Sequence, residues 1–250
     1  MTPLLVGLDY SPWTQRAAWA LYLSGVPARF VQYTPTLGEP RLRLRLRRLG
    51  GTVSVPVLLG APGGPIEDSF DIARWAVAHA SPEAPAPNLI PDLAAANRWN
   101  ALADRALEYG RQRLVRQMID NAGHLDEASS KEFPPFVAPM LRPVARAIAR
   151  RTLGKYAPAP RSAMADALTQ LRDALGNGPY VLGAAPSYAD IAMATMLEVV
   201  SPSSRTKRGP EEVRDWTDPE FAEEFRDLLE WRDALAAETD FRGVRRSLNS

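Results

Sequence analysis

The sequence contains no cysteine and only two histidines in 250 residues. Without cysteine, the protein's own side chains cannot form disulfide bonds, thiolate metal sites or a redox dithiol. The two histidines, His79 and His124, lack the spacing of a metal-ligand pair, so we expect no metal site. A hydrolase triad is also disfavoured, because Ser11 has no histidine and aspartate companions in a nearby pattern.

A strong net charge and a long apolar run are absent as well. The net charge is +1, which gives no overall field to attract nucleic acid or an anionic membrane. No window approaches the roughly 20 apolar residues of a membrane span. The start, MTPLLVGLDY, lacks the basic flank and apolar run of a signal peptide. We therefore expect a cytoplasmic protein with no membrane and no nucleic-acid partner.

The composition is that of a globular protein whose charges are unevenly placed. Hydrophobic residues make up 46% of the chain and charged residues 24%, enough for a sizeable core. Residues 111–161 hold ten basic side chains against four acidic ones, whereas residues 211–240 hold twelve acidic against three basic. We expect these two segments either to face each other in the fold or to lie solvated on the surface.

The first third of the chain has the pattern of a βαβ unit. An apolar run at residues 4–8 suits a buried strand, and apolar residues at helical spacing follow over residues 14–24. Residues 29–33 alternate polar and apolar side chains, which indicates a second strand. Two strands joined by a helix over so short a length favour a parallel crossover.

A hairpin and a third regular pattern complete this unit. Residues 53–59 form a β-rich run interrupted by Pro56, a proline that suits a sheet edge or a bend. The turn GAPGG then leads into a returning strand at residues 65–68. Residues 69–80 have helical spacing, and Asp68 or Ser69 is expected to cap that helix.

The Arg-rich segment 40–51, PRLRLRLRRLGG, lies between these patterns. Its leucines alternate with arginines, but the arginine density argues against a central strand. We interpret it as an amphipathic, partly helical connection. No aromatic side chains are interleaved with the arginines, which disfavours nucleic-acid binding.

Four prolines in residues 81–91 predict a linker, and everything beyond it has helical patterns. The predicted organisation is an α/β domain at 1–80, a proline-rich linker at 81–91 and an all-helical domain at 92–250. The expected helices cover residues 92–121, 139–155 and 162–175, a segment that starts at Ser187, and residues 219–238.

Three segments together resemble the cytosolic glutathione transferase superfamily. They are YSPWTQR at residues 10–16, VSVPVL with IEDSFDI at 53–58 and 66–72, and YVLGAAPSYADIA at 180–192. The resemblance implies a thioredoxin-like α/β domain followed by an all-α helical bundle, in a serine-type, bacterial-like member. It also implies glutathione as co-substrate, a small electrophile as the second substrate, and a homodimer.

In that family the residue at the position of Ser11 points at the glutathione sulfur. A hydroxyl that donates to a thiolate, next to a helix N-terminus, favours the ionised thiol. Serine cannot form a mixed disulfide, so this arrangement indicates thiolate activation and not thiol exchange. Tyr10 and Thr14 are rival hydroxyls, and Ser11 as a simple helix cap is the other open interpretation.

The same resemblance assigns the residues that bind glutathione. Pro56 matches the family's cis-proline, which leaves the backbone of Val55 to pair with the cysteinyl part of glutathione. Asp68 and Ser69 match the acidic-Ser pair that holds the γ-glutamyl group, with Glu67 as an alternative acid. An arginine within residues 41–48 would bind the glycyl carboxylate, and the sequence does not identify which one.

The electrophile pocket and the family's capping box are also implied by position. Tyr10, Trp13, Tyr109 and Arg113 are the pocket candidates, with Phe136 as a further one; core packing is the alternative interpretation for Trp13 and Tyr109. Ser187 and Asp190 form the capping box that supports the helical domain. The competing function is a non-catalytic binding or scaffolding protein with the same fold. It is suggested by the Arg-rich segment and by long stretches at 121–135 and 201–219.

Overall fold

The N-terminal part of the chain forms one mixed four-stranded sheet. The computed structural model describes residues 2–34, 38–48, 50–86, 88–131, 133–155 and 159–249. The strands are ordered β2-β1-β3-β4, where β1 is parallel to β2 and antiparallel to β3, and β3 is antiparallel to β4. Their bounds are Leu4–Gly7 (β1), Arg29–Gln32 (β2), Val57–Leu59 (β3) and Ile66–Glu67 (β4).

Three helices belong to this sheet, and the named elements that follow them in the described chain are all helices. This confirms the predicted order of an α/β part followed by an all-α part. No helix within the described ranges has the length and apolar content needed to cross a bilayer. The helices are Pro12–Leu23 (α1), Gly38–Leu46 (α2), Ser69–Ala78 (α3), Leu93–Asp120 (α4), Ala122–Ser130 (α5), Ala138–Lys155 (α6), Arg161–Leu175 (α7), Tyr188–Met196 (α8), Pro210–Trp216 (α9), Pro219–Glu224 (α10), Arg226–Glu238 (α11) and Val244–Leu248 (α12).

The two faces of the sheet are buried against different helices. Leu5 and Leu58 join a large apolar cluster that runs through α1 and α3 into α4, α7 and α8. Val6 and Val57 point to the opposite face, where Leu42 of α2 covers them. This alternation follows from the two-residue period of a strand. One continuous core therefore joins the α/β part to the helical part.

The structure differs from the predicted elements in three places. The predicted strand at 53–59 is shortened to β3, because Pro56 lacks the N–H that a ladder hydrogen bond requires. The single helix predicted at 219–238 is two helices, α10 and α11, which meet at Phe225. Helices α5, α9 and α12 were not predicted, since each is short or largely polar.

The linker and domain limits remain a proposal. The described part of segment 81–91 is hydrogen bonded to both halves of the chain: Ala86 N–H donates to Leu23 O at 2.9 Å, and Tyr188 N–H donates to Leu89 O at 2.7 Å. Pro87 of the predicted linker lies outside the described residues. We retain the limits 1–80, 81–91 and 92–250 as proposed boundaries.

The basic and acidic segments of the helical part face each other, as one of the two expectations had it. Lys131 pairs with Glu212 at 2.7 Å, and Arg161 pairs with Glu220 at 2.7 Å and with Asp218 at 3.3 Å. Helices α5 and α9 are in contact in the same region. There, Nδ1 of the buried His124 on α5 lies 2.9 Å from Oδ2 of Asp215 on α9. His124 is thus part of a buried polar contact, in a stretch that appeared loop-like in the sequence.

We expect Asp215 to make the protein sensitive to acid. Burial alone would raise the pKa of Asp215, but hydrogen bonds from His124 and Asn121 outweigh it and hold the pKa below its usual value. A depressed folded-state pKa contributes stability at neutral pH that is lost as pH falls through the acidic range. The free energy of unfolding, measured by urea titration between about pH 6 and pH 3, should fall less steeply in Asp215→Asn than in the wild type.

The matched control is Asp166→Asn, which alters an exposed carboxylate on α7. This variant should keep the wild-type slope of stability against pH. Equal slopes for the wild type and Asp215→Asn would contradict the role given to Asp215.

Candidate functional site

Three separate segments meet at one edge of the sheet. Val6 near the end of β1 is paired with Val57 at the start of β3, and Val57 is also paired with Glu67 at the end of β4. The chain that leaves β1 toward Ser11, the chain that enters β3 from Val55 and the chain that leaves β4 at Asp68 therefore share this edge. The register thus brings to one end of the sheet the three segments that contain Ser11, Val55 and Asp68.

Ser11 occupies the first position before α1 without capping it through its side chain. Its φ and ψ of −74° and 127° are those of an N-cap residue, and its carbonyl accepts from Gln15 N at 2.9 Å. Its hydroxyl makes no capping hydrogen bond, although this is what serine at an N-cap usually does. The interpretation of Ser11 as a side-chain cap is therefore wrong. The hydroxyl of this half-buried residue makes no capping hydrogen bond to the backbone of α1.

The two rival hydroxyls have different surroundings. Thr14 is fully buried, and its Oγ1 accepts a hydrogen bond from Leu8 N at 3.2 Å. A Cβ at Gly7 would lie 2.6 Å from Thr14, so the glycine lets the turn close over this side chain. Tyr10 lies on the other side of the turn, with the ammonium of Lys131 4.6 Å from its ring centroid.

The Val55–Pro56 peptide bond is cis, as the family resemblance predicts. Val55 precedes β3 and lies outside the sheet ladder. The backbone of Val55 thus lies just before β3, beside the end of the sheet where that strand begins.

The start of α3 combines an unusual backbone with an unpartnered hydroxyl. Asp68 has a φ of +75°, a region that non-glycine residues rarely occupy, and it caps α3 by accepting from Phe70 N at 2.7 Å. Ser69, the first residue of α3, is only 1% exposed, and its Oγ has no hydrogen-bond partner. Buried hydroxyls in proteins are normally hydrogen bonded. The Ser69 hydroxyl therefore has a hydrogen-bonding capacity at this end of the sheet that the described residues do not satisfy.

Some of the alternative candidate residues for glutathione binding already form ion pairs. The alternative acid Glu67 pairs with Arg48 at 2.9 Å. Within the Arg-rich α2, Arg43 pairs with Glu39 at 2.7 Å. Nothing in the described residues forms a group of three or more His, Asp or Glu side chains that would suit a metal ion.

A buried polar cluster behind the site was not found from the sequence. Arg16 of α1 is 0% exposed, and the same terminal nitrogen donates to Asn100 at 2.7 Å and to Asp104 at 2.8 Å. The Tyr188 hydroxyl also donates to Asn100, at 2.7 Å. Burial lowers the pKa of Arg16, but the Asp104 carboxylate and Tyr188 more than offset this and raise it. The cluster fixes α1 against α4 and α8.

A cavity of about 490 Å³ lies beside Tyr10. Its walls come from the turn at Leu8–Tyr10, from α5, from residues 204–207 and from the C-terminal residues 242–246. Its described lining includes Tyr10 but not Ser11.

The other pocket candidates are placed outside that lining. The Trp13 indole N–H donates to Asp104 at 3.0 Å, and the Tyr109 hydroxyl accepts from Arg161 at 3.3 Å. Arg113 donates to the backbone carbonyls of Val199 and Thr217, both at 3.0 Å. Phe136 is 81% exposed on the connection between α5 and α6. Of the predicted set, only Tyr10 borders the cavity.

Two family models match the chain. The model for the glutathione S-transferase N-terminal domain covers residues 10–79, and the model for the glutathione S-transferase C-terminal domain covers residues 157–234. Together they span more than half of the chain. Curated protein sequences give no significant match.

Several solved structures share the fold. A glutathione S-transferase from Methylobacterium radiotolerans, in complex with glutathione sulfonate, is 22% identical, with a TM-score of 0.56 over 100% of this chain and 93% of that one. A maleylacetoacetate isomerase from Anaeromyxobacter dehalogenans, with bound GSH, is 21% identical, with a TM-score of 0.52 over 94% and 91%. A glutathione S-transferase from Methylobacillus flagellatus, with GSH bound, is 18% identical, with a TM-score of 0.57 over 96% and 98%. At these identities the likeness shows the fold alone.

Proposed function

The chain belongs to the glutathione S-transferase superfamily, and from this premise we propose that it activates the thiol of glutathione for attack on a small electrophile. One observation carries the proposal: the Ser11 hydroxyl stands at the start of α1 without capping it. It lies at the sheet edge to which the register also brings Val55 and Asp68. A transferase of this kind needs no cysteine of its own, because the reactive thiol arrives with glutathione.

In the proposed mechanism Ser11 donates a hydrogen bond to the glutathione sulfur. The bond is stronger to the thiolate than to the thiol, and the partial positive charge at the start of α1 favours the same ionised form. Each unit by which the pKa of the bound thiol falls corresponds to about 1.4 kcal/mol. The thiol proton passes to solvent, and the sulfur lone pair attacks the electrophile.

Binding of glutathione is proposed to use the other two segments. The backbone of Val55 pairs with the cysteinyl part of glutathione in the manner of an added strand. The Ser69 hydroxyl donates to the γ-glutamyl carboxylate, and the Asp68 carboxylate attracts the ammonium of the same group. The GSH bound in the related structures from Anaeromyxobacter dehalogenans and Methylobacillus flagellatus supports this part of the proposal.

Ser69→Ala is expected to weaken glutathione binding about tenfold without loss of stability. The hydroxyl has no partner in the free protein, so its removal breaks no internal hydrogen bond. Calorimetric titration with glutathione measures the first effect, and urea unfolding measures the second.

Ser24→Ala provides a matched control at the opposite end of α1. Ser24 is also fully buried, and its Oγ likewise has no partner. This variant should bind glutathione like the wild type. If both variants lose affinity equally, Ser69 has no direct role in binding.

Turnover of a chloro-dinitrobenzene by the wild type completes the test. Glutathione binding with turnover supports the proposed enzyme. Binding without turnover would instead favour the alternative of a non-catalytic protein with this fold. The homodimer and the cytoplasmic location stay predictions, and sedimentation analysis would check the former.

A further inference from the structure

The cavity beside Tyr10 has a strongly basic wall. Two carboxylates, Asp9 and Glu212, also line it. The six cationic side chains of the lining are Lys131, Arg205, Lys207, Arg242, Arg245 and Arg246. The protein as a whole has a net charge of only +1, so positive charge is concentrated at this place.

Both carboxylates of the lining are already paired. Asp9 accepts from Arg245 Nε at 2.5 Å, and Glu212 accepts from Lys131 Nζ at 2.7 Å. These two contacts neutralise two of the six cations and leave no carboxylate in the described lining for the other four.

The remaining four cations differ in their partners. Arg205 pairs with Glu198 at 3.3 Å, and Arg242 pairs with Asp240 at 2.7 Å; neither carboxylate lines the cavity. Lys207 and Arg246 have no ion-pair partner within the described part of the chain. They approach the cavity from two different segments, and both side chains are exposed to solvent.

The cavity also offers apolar and aromatic surface close to the proposed reaction centre. Leu8 and Tyr10 border it, and Ser11 is the next residue along the chain. The Tyr10 ring meets Trp216 edge to face at a centroid distance of 6.3 Å. A volume of about 490 Å³ is within the usual range for a small-molecule site.

We propose that the electrophile of this protein carries an anionic group, such as a carboxylate, which Lys207 and Arg246 bind while its reactive carbon faces the turn before Ser11. This inference rests on the proposed function and names the substrate class of the same site. Two positive charges without an ion-pair partner attract an anion more than its neutral analogue, and because both side chains are exposed to solvent, salt screens this attraction.

The test compares a chloro-dinitrobenzene with the chloro-dinitrobenzoate that differs from it by one ring carboxylate. In both reactions the glutathione thiolate forms a bond to the ring carbon that bears chlorine. Chloride leaves with the electron pair of the C–Cl bond, and the thiol proton goes to solvent. With glutathione saturating, kcat/KM should be about tenfold higher for the benzoate, and added salt should reduce this preference.

The double variant Lys207→Gln/Arg246→Gln should lose most of the preference and change turnover of the neutral compound less than about twofold. Arg150→Gln/Arg226→Gln is the matched control, because it removes two exposed arginines that do not line the cavity. This control should keep the wild-type ratio. An equal ratio in the wild type and the cavity variant would overturn the inference.

A binding measurement separates failure of this inference from failure of the proposed function. Unreactive dinitrobenzoate and dinitrobenzene, titrated against the glutathione-free protein by calorimetry, compare the affinity of the cavity for the two ligands. If neither chlorinated compound is turned over, the proposed function fails. Tighter binding of the benzoate that is lost in Lys207→Gln/Arg246→Gln would still support the anionic site, and equal binding of both ligands would refute it.

Discussion

Replacement of Ser11 by alanine is expected to lower kcat/KM for a chloro-dinitrobenzene about 10- to 100-fold near pH 7. The variant loses the hydrogen bond that is proposed to stabilise the glutathione thiolate. A hydrogen bond to a charged group contributes about 1.5–3 kcal/mol, which corresponds to a rise of one to two units in the pKa of the bound thiol. Steady-state rates at saturating glutathione measure the loss.

The same reasoning fixes the direction in which the pH–rate profile of Ser11→Ala should move. With the donor removed, the thiol ionises only at higher pH, so the rate profile of Ser11→Ala should shift upward on the pH axis. Part of the activity should therefore return in alkaline buffer. The start of α1 still favours the thiolate in the variant, which is why a residual rate is expected.

Three controls separate catalysis from structure. Ser11→Thr keeps a hydroxyl at the position and should restore much of the rate. Urea unfolding of Ser11→Ala should match the wild type, because no side-chain cap is lost. Tyr10→Phe removes the rival hydroxyl and should not shift the pH profile. A large shift in Tyr10→Phe together with a normal Ser11→Ala would move the catalytic role to Tyr10.

The proposed glutathione-binding half of the site could be drawn from the sequence because its signals are local. The turn at Ser11, the proline at Pro56 and the cap at Asp68 each occupy a short segment with its own pattern. Their convergence depends on strand register, which pairs Val57 with both Val6 and Glu67. Local patterns do not contain that pairing, and the family resemblance supplied it.

The basic cavity beside Tyr10, which is proposed to bind the electrophile, could not be predicted in the same way. The basic cavity combines residues near 10, 130, 205 and 245, and none of these segments has a motif. Arg113 illustrates the same difficulty, which is that contacts between distant segments cannot be read from local sequence patterns. An arginine on a long helix suits a substrate pocket, but its carbonyl partners lie 86 and 104 residues further along the chain. Only the tertiary structure shows that this guanidinium is already hydrogen bonded to backbone carbonyls.

Asp190→Ala is expected to cause the largest loss of stability, about 3 kcal/mol in the free energy of unfolding. Asp190 is 0% exposed, and its carboxylate accepts from Val181 N at 2.7 Å and from Ser187 N at 2.9 Å. The Ser187 hydroxyl also donates to this carboxylate, at 2.6 Å. Alanine would leave all three donors without a partner inside the protein, a larger cost than that of an exposed cap.

Asp92→Ala gives a matched comparison at the start of α4. Its exposed carboxylate accepts from Ala94 N and Ala95 N at 2.8 and 3.0 Å, so its loss should cost only about 1 kcal/mol. Urea unfolding of both variants measures the difference. Within the described residues, the hydrogen bonds of Asp190 join it to Val181 and Ser187 and not to Ser11 or Ser69, so folded Asp190→Ala should bind glutathione like the wild type. A variant of normal stability that has lost glutathione binding would show that Asp190 acts at the site and not in the fold.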